Sequence, residues 1–332
     1  MLPSEYICLK NQSYEQNGFS IVPIRYEDRL EIMKWRNDQI YHLRQDKPLT
    51  EKDQNLYFKN TIAKLFQKEN PNQILFSFLR ENICIGYGGL VHINWIDKNA
   101  EISFVIDTKL ESEYFITLWR SFITLLEKVA FEEILLHKIF TYAYDLRPQL
   151  YDAIEKIGFD KEAVLKEHCL FNKKFIDVII HSKTINKCLN LRKLKKKDIR
   201  ILFDWVNNIS VRDNSINTDQ IKWLDHKKWF LSRINEQNCK IFILELFDVP
   251  IGQIRFEYNA NFWEIDYSIN SKYRSRGFGR KLIEMGIKKL QKQSLIKASV
   301  KKQNISSCKI FEKLGFKKES NTDKMNIYTK II

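Results

Sequence analysis

The segment "NSKYRSRGFGRKLIEMG" (Asn270–Gly286) concentrates cationic side chains and glycines in a way the rest of the chain does not. Arg274, Arg276, Arg280 and Lys281 surround Gly277 and Gly279, and the whole chain has only ten glycines. An alternating run, "WEIDYSIN" (Trp263–Asn270), precedes the segment, and an amphipathic pattern follows it. Glycine permits backbone conformations closed to other residues and lets a ligand approach main-chain N–H groups. A helix start offers unpaired N–H donors at a positive dipole end. Strand, glycine turn and helix start together predict a seat for a phosphate or pyrophosphate. The spacing is not G-x-x-x-x-G-K-[ST], and Leu282 stands where a G-x-G-x-x-G turn would need its third glycine.

The elements that position this turn follow from periodicity. "KKDIRILFDWVNN" and "IKWLDHKKWFLSRI" read as helices, and "KIFILELF", "PIGQIRFEY" and "WEIDYSIN" as strands. A turn containing Asp248 and Pro250 joins the first two strands. "GRKLIEMGIKKLQK" reads as a helix with Leu282, Ile283, Gly286, Ile287 and Leu290 on one face. "IKASV" is a strand, "NISSCKIFEKLGF" a helix closed by Gly315, and "MNIYTKII" a final strand. The expected class is α/β, a mixed and mostly antiparallel sheet flanked by helices.

The chain also repeats itself. "ICIGYGGLVHI" with "AEISFVID" matches "VPIGQIRFEY" with "WEIDYSIN", and "AIEKIGFDKE" matches "IFEKLGFKKE". The separation of about 160 residues is domain-sized, so the pattern is a duplication rather than a solenoid. The expected domains are 1–185 and 186–332, joined near "HSKTINKCLNL" without a flexible linker and therefore packed on each other.

Bulk properties narrow the classes. With 332 residues and 44% hydrophobic content the chain can bury two ordinary cores. No apolar run nears the roughly 18–20 residues of a spanning helix, and "MLPSEYICLKNQSYEQ" lacks the pattern of a signal peptide. A cytoplasmic protein without membrane contact is expected. Six scattered cysteines and six scattered histidines argue for neither a disulfide framework nor a metal site. The net charge of +14 reflects lysine-rich composition, and it suits an anionic small ligand better than nucleic acid.

The pattern R-x-x-G-x-G, after an alternating strand and opening a helix, resembles the pyrophosphate loop of the GCN5-related N-acetyltransferase (GNAT) superfamily. "VKKQNISSCKIFEKLGF" (Val300–Phe316) resembles that superfamily's N-x-x-S/A…E-K-x-G-F segment. The resemblance covers the second half and implies tandem GNAT folds. It implies acyl-CoA as co-substrate, acetyl-CoA or a longer hydroxyacyl-CoA. Ile269, Arg274, Arg276, Gly277, Phe278, Gly279, Arg280, Lys281 and Asn304 are then the coenzyme residues, Asn304 reaching the pantetheine arm or the sulfur region. The first half resembles the family in "WRND" and "EISFVID" but carries Leu110, Glu111, Ser112 and Glu113 where the glycine turn belongs. It is expected to be a degenerate lobe without coenzyme.

The family chemistry is direct attack of a neutral amine on the thioester. It implies Glu264 or Glu257 as the base, directly or through water, and a main-chain N–H near Ile269 to polarise the carbonyl. Many members place a tyrosine acid where this chain has Phe311. "VRDNSINTDQIKWLDHKKWF" resembles members that acylate nucleotide-linked amino-deoxy sugars. That places Asn214, Asn217, His226, Arg255 and Tyr258 around a dTDP- or UDP-linked sugar, a 3-amino-3,6-dideoxyhexose being the first candidate, for surface polysaccharide synthesis. The alternatives are acetylation of a protein terminus, a ribosomal protein or an aminoglycoside, and a non-catalytic acyl-CoA-binding module. A monomer or homodimer is expected.

Overall fold

The computed structural model describes residues 2–215, 217–321 and 324–332. The chain divides into two compact units, Met1–Lys187 and Cys188–Ile332, and the division falls at a 3₁₀ turn, Ile185–Cys188.

The N-terminal unit runs β1 (Tyr14–Gln16), β2 (Phe19–Pro23), α1 (Arg29–Asp38), α2 (Glu51–Tyr57), a π-helical turn (Phe58–Ile62) and α3 (Ala63–Leu65). It continues with β3 (Ile74–Arg80), β4 (Ile83–Asn94), β5 (Asn99–Ile106), α4 (Thr108–Lys128), β6 (Lys138–Tyr144), α5 (Pro148–Glu155), β7 (Asp160–Phe171) and β8 (Lys174–Thr184). Its sheet has the order β1-β2-β3-β4-β5-β6-β8-β7. The C-terminal unit runs β9 (Leu189–Lys193), α6 (Ile199–Val206), α7 (Ile209–Asn214), α8 (Trp223–Arg233), β10 (Cys239–Leu246), β11 (Val249–Asn259) and β12 (Phe262–Ile269). There follow α9 (Phe278–Ile287), β13 (Leu295–Lys301), α10 (Ile305–Lys313), β14 (Lys317–Asn321) and β15 (Met325–Ile331), with sheet order β14-β15-β13-β12-β11-β10-β9. Apart from the extra strand β1, the two orders are the same. The duplicated sequence folds twice into one topology.

Each sheet contains one parallel pair at the same place. β5 meets β6 only at Asn99–Glu101, and β12 meets β13 only at Trp263–Ile296 and Glu264–Lys297. Beyond those rungs the strands part, which opens a gap in the middle of an otherwise continuous sheet.

Local sequence explains the main elements. The buried face of α6 carries Leu202 and Trp205, which pack with Phe230 and Ile243. In the β10–β11 hairpin Phe247 and Asp248 both take left-handed φ, 48° and 66°, the conformation of a tight two-residue turn. Pro250 lies in β11 rather than in that turn, opposite Glu245 at a register shift. Gly315 closes α10 with φ of 74°. An ion pair also repeats. Arg25 holds Asp28 with two bonds of 2.7 and 2.8 Å, and Arg192 holds Asp198 with bonds of 2.6 and 2.8 Å. In each unit this ties the first core strand to the first helix.

Candidate functional site

The Gly277 turn lies between β12 and α9. Asn270 caps a 3₁₀ turn, Ser271–Tyr273, and Arg274 to Gly277 then lead into the helix. Gly277 has φ of +81° and a side chain added there would meet nothing within 4 Å. Backbone conformation alone therefore requires glycine here. As the residue before α9 it offers no side-chain cap, and the first bond inside the helix runs from the Lys281 N–H to the Gly277 carbonyl, at 3.1 Å. The N–H groups of the first turn are left for a ligand.

Arg276 supplies the charge. Its guanidinium lies 5.1 Å from the Phe278 ring centroid, and a buried Nη1 has no hydrogen-bond partner. Desolvation holds its pKa below the usual arginine value. A partly buried cation with no counter-ion among the described residues, beside an uncapped helix start, fits a diphosphate. The other cations here are committed within the protein. Arg274 donates from Nε to the Ile269 carbonyl at 2.9 Å and from Nη1 to Ser210 in α7. Arg280 and Lys281 reach Glu284 at 2.9 and 3.7 Å, so the helix itself partly offsets their charge. Phe278 is core.

Gly279 corrects the expectation that both glycines serve unusual backbone or ligand approach. It lies inside α9 at an ordinary φ. A Cβ there would stand 3.2 Å from Tyr267 and 3.3 Å from Ile310, so the position is small because the helix packs closely on β12.

β11 and β12 present two different faces. Register pairs Gln253 with Ser268, Arg255 with Asp266 and Glu257 with Glu264, and these residues share the face of Ile243, toward α6 and α8. Ile254 with Tyr267 and Phe256 with Ile265 form the opposite face, where Gly286 of α9 rests on Ile254 and Phe256. The polar face carries much of the expected acceptor chemistry. Arg255 lies 5.5 Å from the Trp229 ring centroid and 3.8 Å from both Glu257 and Asp266. Glu257 also meets Arg233 at 3.5 Å, and Glu264 accepts from Asn259 at 3.2 Å. Glu264 stands five residues before Ile269, about 16 Å along the strand at ~3.3 Å per residue.

Ile269 ends β12. Its neighbour Asn270 donates to the Ile251 carbonyl at 2.9 Å, so alternation turns the Ile269 N–H and C=O away from β11, toward the gap. A small cleft of about 30 Å³ lies at this end, lined by Asp204, Trp205, Asn208, Val211, Ser268–Ser271 and Arg274. Asn304 is the residue before α10, where its side chain accepts from the Ser307 N–H at 3.2 Å.

Other expected acceptor residues fall elsewhere. His226 is buried among Phe203, Trp223, Trp229 and Phe230, its Nε2 3.0 Å from the Ile199 carbonyl. Burial lowers its pKa, and it is a packed core histidine rather than an acceptor contact. Tyr258 packs at a tilt against Trp263, ring centroids 5.1 Å apart, on the face opposite Arg255. Asn214 bonds back to Ser210 within α7 at 2.8 Å. Asn217 caps a turn at Asp219, also at 2.8 Å, and Ile216 between them lies outside the described residues. Asp204, Trp205 and Asn208 line the cleft but did not stand out as site residues, although "FDWVNN" sets an acid and an aromatic at a helix end.

The N-terminal unit builds the same gap and fills it. Asp107 caps α4 directly, and the helix starts at Thr108 without an intervening turn. Leu110 to Glu113 are therefore helical rather than a loop of altered charge. Gln39 donates to the Ile106 carbonyl at 2.7 Å, satisfying the counterpart of Ile269. Arg147, in the place of Asn304, lies 3.0 Å from His42 Nε2 and 3.2 Å from Glu111, with its guanidinium 5.4 Å from Phe115 and 5.8 Å from Trp119.

The Acetyltransferase (GNAT) domain matches residues 21–180, and the Acetyltransferase (GNAT) family matches residues 204–316. The chain belongs to the GNAT superfamily, as two domains in tandem. It is similar to an uncharacterized protein of Methanocaldococcus jannaschii, 28% identical over 134 residues, which span 39% of this chain and 28% of that protein. Among solved structures it is similar to a spermidine N-acetyltransferase from Vibrio cholerae in complex with CoA and spermine. That match has 19% identity, covers 51% of this chain and 96% of that one, and gives a TM-score of 0.46. A domain from Methanocaldococcus jannaschii is 24% identical over 43% of this chain and 98% of its own, with a TM-score of 0.39. Among the described residues no helix is long and apolar enough to cross a membrane, and no cluster of His, Cys, Asp and Glu could hold a metal.

Proposed function

We propose that the C-terminal domain is an acyl-CoA-dependent N-acyltransferase, and that the N-terminal domain binds no coenzyme. The observation that carries the first part is the unpaired Arg276 nitrogen beside Gly277 and the uncapped start of α9. Bound there, acyl-CoA supplies the thioester. The chain's own residues do the rest. The Ile269 N–H, turned toward the gap, is placed to polarise the thioester carbonyl. Glu264 takes the amine proton through solvent along the Asp266–Ser268 face, with Glu257 as the second candidate. Asn304 anchors the arm of the coenzyme. In the N-terminal domain the side chains of Gln39, His42, Glu111 and Arg147 take up the corresponding space.

For the acceptor we infer a nucleotide-linked amino-deoxy sugar, dTDP- or UDP-linked, of the kind used for surface polysaccharides. Arg255 against Trp229, with Trp205 and Asn208 at the cleft, supports it, since a cation on an aromatic platform suits a phosphate joined to rings. One observation favours a second reading. Glu257, Glu264 and Asp266 place three carboxylates on the same face, which suits a cationic amine such as an aminoglycoside or a protein N-terminus.

A thiol-release assay with acetyl-CoA against dTDP- and UDP-amino sugars, an aminoglycoside, spermidine and a peptide separates the two. Turnover with the sugars is the expected result. Turnover with only the cationic amines moves the assignment to the second reading. Coenzyme binding without release in any arm makes the domain a binding module.

A further inference from the structure

β12 and β13 part after Glu264, and Tyr267 stands in β12 just beyond that last shared rung. Its hydroxyl lies 2.9 Å from Ser307 Oγ in the first turn of α10. The pair thus joins one strand of the gap to the helix that follows the other strand. The ring is held in place. Gly279 leaves room for its edge, and Phe311 packs against it edge-on at a centroid distance of 6.0 Å. Ser307 in turn is tied to Asn304 through its N–H. Tyr267, Ser307 and Asn304 therefore stand together beside the part of β12 that β13 no longer pairs. Phe311, one turn further along α10, is sunk in the core against Tyr328 and Phe316 and carries no hydroxyl.

An arm that leaves a diphosphate at the turn and follows the edge of β12 that β13 no longer pairs passes Tyr267. When the amine attacks, its lone pair forms the C–N bond and the C–S pair departs onto sulfur. A donor aimed at that sulfur stabilises the charge as it develops. We propose that Tyr267 is this donor, its phenolic O–H hydrogen-bonding to the departing sulfur while the Ser307 hydroxyl donates to the Tyr267 oxygen. Tyr267 keeps its proton throughout, and the proton lost by the amine passes through solvent to Glu264, so the products are amide and a hydrogen-bonded thiolate. Burial pushes the Tyr267 phenol up to about 12, which keeps it a donor across the working range. This rests on the reading of the Gly277 turn as the donor site.

The test uses coenzyme A itself as probe and needs no acceptor. The thiolate absorbance of coenzyme A bound to the full chain is titrated, with affinity followed by calorimetry. The bound thiol should ionise at lower pH in the wild type than in Tyr267→Phe, by about one pH unit, with Ser307→Ala in between and affinity changed less than about twofold. In the thiol-release assay Tyr267→Phe should lower kcat by roughly 10–100-fold. Equal thiol titration in wild type and Tyr267→Phe overturns this proposal and leaves the donor site standing. A wild type that binds no coenzyme A overturns both. Should Tyr267→Phe fail to fold, an unshifted thiol in Ser307→Ala overturns the relay.

Discussion

Glu101 and Glu264 occupy the same rung in the two domains, and only Glu264 is accessible. Each is the second residue of an alternating segment, next to an antiparallel strand on one side and the parallel strand on the other. Glu101 is buried, ion-paired to Arg44, and its carboxyl is raised by that burial. Glu264 is half-buried, with a single side-chain amide at its oxygen. One rung has thus been turned into structure and the other left open to solvent.

Glu264→Gln should therefore lower kcat at neutral pH by at least about tenfold, the low end of what a general base contributes. Glu257→Gln should cost less, because its partners Arg233 and Arg255 retain other carboxylates nearby. Pre-steady-state and pH–rate measurements check this. An unchanged profile for Glu264→Gln moves the role to Glu257 or to water.

Arg276→Gln should separate binding from stability. Coenzyme A affinity should fall by tenfold or more, because a buried guanidinium nitrogen at the turn, unpaired among the described residues, is lost. The melting temperature of the ligand-free protein should stay level or rise, since no counter-ion among the described residues offsets the desolvated charge. A marked loss of ligand-free stability would count against the anion role. Gly277→Glu should remove coenzyme binding altogether, through like charge and a left-handed φ.

Stoichiometry tests the N-terminal domain. Calorimetry should give one coenzyme per chain, and none after Gly277→Glu. Two per chain would show that Arg147 and its neighbours leave room after all.

His42 gives the N-terminal domain a pH response. Burial first, and then Arg147, pushes its pKa down to about 3. The folded state keeps the ring neutral while the unfolded chain takes up a proton near pH 6.5. The stabilisation is complete above that pH and is lost progressively as pH falls toward 3. Unfolding of the N-terminal domain followed between pH 7 and 4 should show this decline, and His42→Gln should flatten it.

The sequence carried the parts of the site that are contiguous. Gly277 is legible because a left-handed turn excludes nearly every other residue, and Asn304 because it sits three residues before the Ser307 amide it caps. The duplicated strands were legible through alternation. Pairings between distant residues were not. Nothing in the sequence brings Tyr267 to Ser307, or Asp204 to Ser268, until the strands part and α6 closes over them. His226 misled because a histidine at helical spacing from tryptophans reads the same whether it faces a ligand or a core. β14 and α7 carry too little apolar periodicity to announce themselves.

The contrast between α4 and α9 also bears on the history of the duplication. In the C-terminal domain residues 271–277 lie between Asn270, just past β12, and the helix, whereas α4 begins straight after Asp107 and winds for 21 residues. Recovering a donor seat in the N-terminal half would mean unwinding the first turns of α4 and evicting Arg147 together. No single nucleotide change does that. Under the proposed division of roles, the two halves have diverged past the point at which one substitution restores a second donor seat.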